Sequence, residues 1–131
     1  MVEDVARQCL STSPGKGPIR RRHAFAAAAI ALNAEDNGVQ VEITTEDVIG
    51  RAGTWSVILI GDMCYERPLA DRLTAWLKDR VKAGAIVLMG DPGRTYFPKS
   101  GVEKLATYQV PTTRELEDRE LRETSVYRLS P

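Results

Sequence analysis

Two short stretches hold the residues best suited to chemistry. "VILIGDMCYE" (Val57 to Glu66) and "AIVLMGDPGR" (Ala85 to Arg94) are both apolar runs that end in Gly-Asp. An apolar run of four to eight residues closed by glycine reads as a buried strand, and an acid just past its end is free to face a ligand. Asp62 and Asp91 are those acids. Tyr65 follows Asp62 by three residues and can wall a cleft, while Arg94 can clamp a carboxylate or phosphate. Each has a plainer alternative. Asp62 can cap the helix that follows, Pro92-Gly93 suits a type II turn, and Arg94 can be a solvated loop residue. Asp47 in "TTEDV" can accept from an exocyclic amine, or serve only as a loop or cap residue. Cys64 reads as a small packing residue.

Other chemistries find little support. Two cysteines, Cys9 and Cys64, without CxxC spacing, and a single histidine, His23, argue against a zinc site or a disulfide framework. No metal is expected. Eighteen basic residues balance eighteen acidic ones, so global charge favours neither nucleic acid nor an anionic membrane. "RRRH" (Arg20 to His23) lacks interleaved aromatics and reads as a solvated tail. No apolar stretch approaches the roughly 20 residues of a membrane helix, and "MVEDVARQCL" does not read as a secretory signal. A reducing, cytoplasmic setting follows.

The elements that must position these acids can be read along the 131 residues. Residues 1–23 form a divergent leader, with "STSPGKGPIRRRH" read as loop or disordered segment. Residues 24–131 carry the domain. "AFAAAAIALNAEDNG" predicts a helix stopped at Asn37-Gly38, and "VQVEI" a short strand over 39–43. Trp55 to Ile60 predicts a strand covered on both faces. Leu69, Leu73, Trp76, Leu77 and Val81 predict a helix over Arg67 to Lys82, capped at Gly84. Trp55 and Trp76 read as core. Ala85 to Met89 predicts another strand, Ser100 with Glu103 a capping box opening a helix through Ala106, and "TYQV" and "TSVYRL" two closing strands. Between them "PTTRELEDRELRE" is a polar connection. The pattern is α/β with parallel crossovers, which brings Asp62 and Asp91 to one edge of the sheet.

At this point the chain resembles a known family. "AIALNAEDNGV", "VILIGDMCYERPLADRLTAWL", "VLMGDPGRTYFP", the spaced Y-V-P-T-T-R-E-L-E-D segment and the final "TSVYRL" are similar to the seven-β-strand (class I) S-adenosylmethionine-dependent methyltransferases. Within them they resemble the group acting on lysines of the electron transfer flavoprotein β-subunit. "GDMCYE" with "GDPGR" at this separation carries the likeness. It implies a Rossmann-like sheet ending in an antiparallel strand pair, S-adenosylmethionine as cofactor and a protein substrate. It implies Asp62 and Tyr65 as the catalytic pair, and Asp47, Gly61 and Asp62 on the cofactor side. Asp91, Arg94, Thr113 and Glu115 would line the substrate side. Asp62 is expected to orient the lysine, not to deprotonate it, because a carboxylate alone raises an amine's pKa.

The family's opening strand and glycine-rich loop of D-x-G-x-G-x-G type have no counterpart in the 131 residues, and Arg21-Arg22-His23 stands where a ribose-binding acid belongs. A sheet truncated at its N-terminus follows, with an open edge at Trp55–Ile60. That edge implies weak cofactor affinity and poor stability, or cover from Met1–Leu10 or a second copy of the chain. Three readings stand. The first is a protein-lysine methyltransferase, inactive or active as this chain. The second is a non-catalytic α/β interaction module of the same descent. The third, another nucleotide-binding α/β domain, lacks the D-x-D pair or late lysine that such chemistry needs.

Overall fold

The computed structural model describes residues 8–10, 19–111 and 121–131, with side chains from Ala24 onward within those ranges. The chain divides into two compact units, Met1–Gly53 and Thr54–Pro131.

In the first unit, strand β1 (Gln8–Leu10) pairs in parallel with β2 (Glu42–Thr44), and helix α1 (Ile19–Asp36) lies between them in sequence. α1 starts at Ile19, so the helix takes in the Arg20–His23 run that had been assigned to a loop. Its end falls where Asn37-Gly38 predicted it, with the Val39 amide donating to the Ala34 carbonyl at 2.9 Å. That bond commits Val39 to closing the helix, which is why β2 begins three residues later than the alternation suggests. Met1–Leu10 was one expected cover for the Trp55–Ile60 edge; its described part, Gln8–Leu10, pairs with β2.

The second unit holds a mixed four-stranded sheet in the order β3-β4-β6-β5. The strands are β3 (Val57–Gly61), β4 (Ile86–Asp91), β5 (Val102–Pro111) and β6 (Leu121–Leu129), and helix α2 (Arg67–Lys82) connects β3 to β4. β3 and β4 run parallel in register from Val57↔Ile86 to Gly61↔Gly90. β6 is antiparallel to both of its neighbours, so the final strand lies between β4 and β5. This is the α/β architecture, with its antiparallel closing pair, that the resemblance implies.

α2 has the bounds its periodicity predicts. It buries Leu69, Ala70, Leu73, Trp76 and Leu77. Gly84, at φ 102°, takes the left-handed conformation just past its end that residues with a Cβ rarely adopt. Ile58, Ile60, Val87 and Met89 are buried too, and the register puts all four on one sheet face. Trp55 meets Trp76 edge to face at 5.8 Å between ring centroids.

Two expectations need correcting. β3 is not covered on both faces: Leu59, which points away from Ile58 and Ile60, is 65% exposed, and Ile86, opposite Val57 on the same face, is exposed as well. The helix expected over Ser100–Ala106 is the start of β5. Long-range pairing overrides the local capping signal there. Val102 lies opposite Leu129, Glu103 opposite Arg128, and the Lys104 ammonium sits 5.6 Å from the Tyr127 ring centre. Among the described residues β3 pairs with β4 alone, and no described helix is long and apolar enough to cross a membrane.

Candidate active site

The carboxyl ends of β3 and β4 build the site. Gly61↔Gly90 is the last rung of their ladder, and the Asp62 amide extends it by donating to the Gly90 carbonyl at 2.9 Å. The two acids therefore leave the same margin of the sheet, on adjacent strands. Asp62 has φ 48°. This left-handed backbone is uncommon outside glycine, though aspartate tolerates it better than most, and strain of this kind concentrates at functional sites.

The plainer reading of Asp62 does not hold. The N-cap of α2 is Glu66, with no side-chain capping bond and Pro68 in the first turn. Asp62 instead receives a forked pair of hydrogen bonds from Arg94: Nε donates to Oδ1 at 2.6 Å and Nη2 to Oδ2 at 2.7 Å. The Arg94 guanidinium holds the Asp62 carboxyl below its ordinary value, partial burial opposes that shift, and Arg122 on β6 adds a weaker pull in the same direction. Arg94 is in turn pushed above its ordinary value by the same bond.

Asp91 plays a different part. It is 3% exposed, and its Oδ2 accepts from the backbone amides of Gly93 (2.8 Å) and Arg94 (2.7 Å). Gly93, at φ 92°, supplies the positive φ that the expected turn requires. Asp91 thus fixes the loop from which Arg94 reaches Asp62. Its Oδ1 is buried and, among the described residues, has no hydrogen-bond partner.

The loops are tied a second time. Arg67, in the first turn of α2, lies 5.6 Å from the ring centre of Tyr96 in the loop after β4. Phe97 of that loop packs on Tyr127 at 4.5 Å. Tyr65 is half exposed at the surface of the β3–α2 loop. Cys64 beside it is 1% exposed, as a packing residue should be. Burial, with the nearby charges of Asp91 and Asp62, pushes its thiol up to about 11.

An acid held by arginine and a half-exposed tyrosine, on the ligand-binding margin of a parallel β-pair, fits several chemistries. Comparison with known proteins narrows them. Over 113 residues the chain is 36% identical to the electron transfer flavoprotein beta subunit lysine methyltransferase of Xenopus laevis, covering 81% of this chain and 46% of that protein. The rat protein of the same name is 34% identical over 114 residues, 82% of this chain and 45% of its own length. The human one is 30% identical over 118 residues, 82% and 44%. The chain resembles a methyltransferase family. It spans about half the length of the curated relatives it matches. No family model matches it, and no solved structure does.

Against this methyltransferase resemblance, the residues singled out from the sequence divide clearly. Asp62, Asp91 and Arg94 come together, with Gly61 at the strand end and Tyr65 in the same loop. Asp47 lies in the other compact unit, where its Oδ1 accepts from the Ile49 amide at 3.0 Å, an Asx turn of the kind the loop reading foresaw. Thr113 and Glu115 fall outside the described residues. Sequence reasoning missed that Arg94 and Asp62 bond to each other. The signal was available, since opposite charges just past equivalent ends of two neighbouring parallel strands are natural partners. It also missed the Arg67–Tyr96 contact, which no sequence spacing announces. Among the described residues no group of three or more His, Cys, Asp or Glu is placed to hold a metal ion.

Proposed function

We propose that this chain is the substrate-facing part of an S-adenosylmethionine-dependent protein-lysine methyltransferase, with the electron transfer flavoprotein β-subunit as its target. The observation that carries the reading is Asp62, braced by Arg94 at the carboxyl margin of β3 and next to the Tyr65 loop. The matches to relatives named for this activity support it.

The residues present suit the sulfonium end of the donor. A Cβ built at Gly61 would meet nothing within 4 Å, so open space lies against the strand end beside the Asp62 carboxylate. Gly61 and Asp62 would border the donor there. When bound, the donor offers a methyl group to which the lysine nitrogen's lone pair forms a bond as the carbon–sulfur bond breaks. The lysine must first lose its proton to water, against an ordinary pKa of about 10.4. Asp62 accepts a hydrogen bond from the nitrogen and aligns it, and Tyr65 walls its approach. Alignment of this kind can supply much of the acceleration. Arg94 serves the substrate side through Asp62, the buried Asp91 does so by holding the loop that carries Arg94, and Thr113 and Glu115 are assigned to the same side.

The test is transfer of a labelled methyl group from S-adenosylmethionine to the flavoprotein β-subunit. The full chain should label a lysine, and Asp62→Ala should lower the rate by roughly a hundredfold or more with unchanged circular dichroism. Full activity in that variant removes Asp62 from the site. One observation favours a second reading, a non-catalytic module or a homo-oligomer: the open sheet face at Leu59 and Ile86, next to a strand with one described partner. Calorimetric titration with the donor separates the two. A micromolar or tighter dissociation constant supports the enzyme, and no binding supports the module.

A further inference from the structure

We propose that Arg94 is a charge-compensating partner of Asp62, which makes the rim an acceptor for an uncharged primary amine in place of an ammonium ion. The inference rests on reading Asp62 as the contact for the lysine nitrogen.

A lone carboxylate is a poor companion for a lysine that must attack as the free amine. It stabilises the protonated form and so works against the nucleophile it aligns. Asp62 is not alone. Both of its oxygens already accept from one guanidinium, at 2.6 and 2.7 Å, and that guanidinium stays charged at any pH the protein meets. Arg94 is also anchored from behind. Asp91, buried and fixed at the end of β4, binds the amides of both Gly93 and Arg94, so the loop that carries the guanidinium is pinned. Among the described residues Arg94 and, more weakly, Arg122 act on the carboxylate, and Asp91 acts in turn on Arg94. The fork itself sets one positive charge against the one negative charge of Asp62.

Compensation leaves acceptor capacity intact. An ionised carboxylate has about four lone-pair positions, of which the fork uses two. The Asp62 side chain is 46% exposed and that of Arg94 34%, so the unused positions are open to an incoming donor. An amine N–H can bond there without meeting an uncompensated negative charge. Arg94 is thus a positioning residue that acts through Asp62: it decides which protonation state of the substrate nitrogen the rim holds.

The test needs no methyl transfer. The full chain is titrated, by NMR shift changes at about pH 7, where lysine is ionised, with Nα-acetyl-lysine N-methylamide and with its 6-hydroxynorleucine counterpart, a neutral donor of the same shape. The wild-type chain should bind the two within about threefold of each other, whereas Arg94→Gln should favour the lysine probe by about tenfold or more. Arg94→Lys, which keeps the charge and loses the fork, should restore the wild-type ratio. A tenfold preference for the lysine probe in the wild-type chain overturns the proposal, whether or not the variant folds. So does a ratio that Arg94→Gln leaves unchanged, or binding of neither probe. If the ratio fails to move while the chain still methylates the flavoprotein subunit, charge compensation alone is wrong. If the chain neither binds a probe nor transfers methyl, the underlying assignment of function falls with it.

Discussion

Asp62 and Arg94 set the behaviour of the site at the scale of single residues. Because the folded carboxyl lies below its ordinary value of 3.8, the pair contributes stability that is fully present once the unfolded chain's carboxyl is ionised. That contribution is lost as pH falls below this value and through the lower folded one. Both side chains face solvent in part, so the amount is under about 1 kcal/mol. Denaturant unfolding at several pH values should show a steeper acid loss in the wild type than in Arg94→Gln, and identical slopes would mean that the fork does not persist in solution. Cys64 behaves in the opposite sense. Its thiol is raised from 9.0 to about 11, so the folded state keeps a proton that the unfolded state gives up, and stability declines as pH rises between those values. The native thiol should resist iodoacetamide near neutral pH and react once the chain is unfolded. The sequence marked Asp62, Asp91 and Arg94 as chemically capable, because acids after buried strands are conspicuous. It could not separate their roles. Which acid receives the arginine and which holds the loop depends on φ 48° at Asp62 and on two amide bonds to Asp91, and neither feature has a residue pattern of its own.

Elements show where local signals suffice and where they fail. α2 was legible to the residue, since its apolar stripe, its proline-bearing first turn and Gly84 all agree. Leu77, fully buried on that stripe, should lose about 2–5 kcal/mol as Leu77→Ala, measured as a shift in denaturant midpoint. Gly84→Ala forces a Cβ into φ 102° and should lose about 1–2 kcal/mol, although nothing lies within 4 Å of the added atom. A loss near zero would show that the helix end rearranges. The segment from Ser100 to Ala106 was misread because Ser-x-x-Glu is a local pattern, whereas its strand partner, β6, begins fifteen residues after that segment ends. The same distance hid the placement of β6 between β4 and β5. β3 was read correctly as a strand and wrongly as covered twice, since an unbroken apolar run does not reveal which of its faces another element occupies.

On the scale of the whole molecule, balanced charge and ordinary composition said only that the chain could build a core. The α/β class and the shared margin of Asp62 and Asp91 came from the order of elements, and the antiparallel closing pair from the family resemblance. The division of the chain into two compact units did not, because no linker-like composition marks Gly53. The open face should tolerate change: Leu59→Lys, at a position 65% exposed, is expected to alter unfolding free energy by no more than about 0.5 kcal/mol, while improving recovery in sedimentation at high concentration. A loss of several kcal/mol would show that this face is covered in solution. The position of β6 has an outcome for the protein's birth. β5 bonds to β6 and to no other described strand, so while the chain is being made, residues 102–111 wait for that partner until 121–129 clear the ribosome. The sheet closes from β6 inward, and a stall in translation just short of Leu121 would leave the ten-residue β5 without its partner beside a β3–β4–α2 layer whose segments are already made.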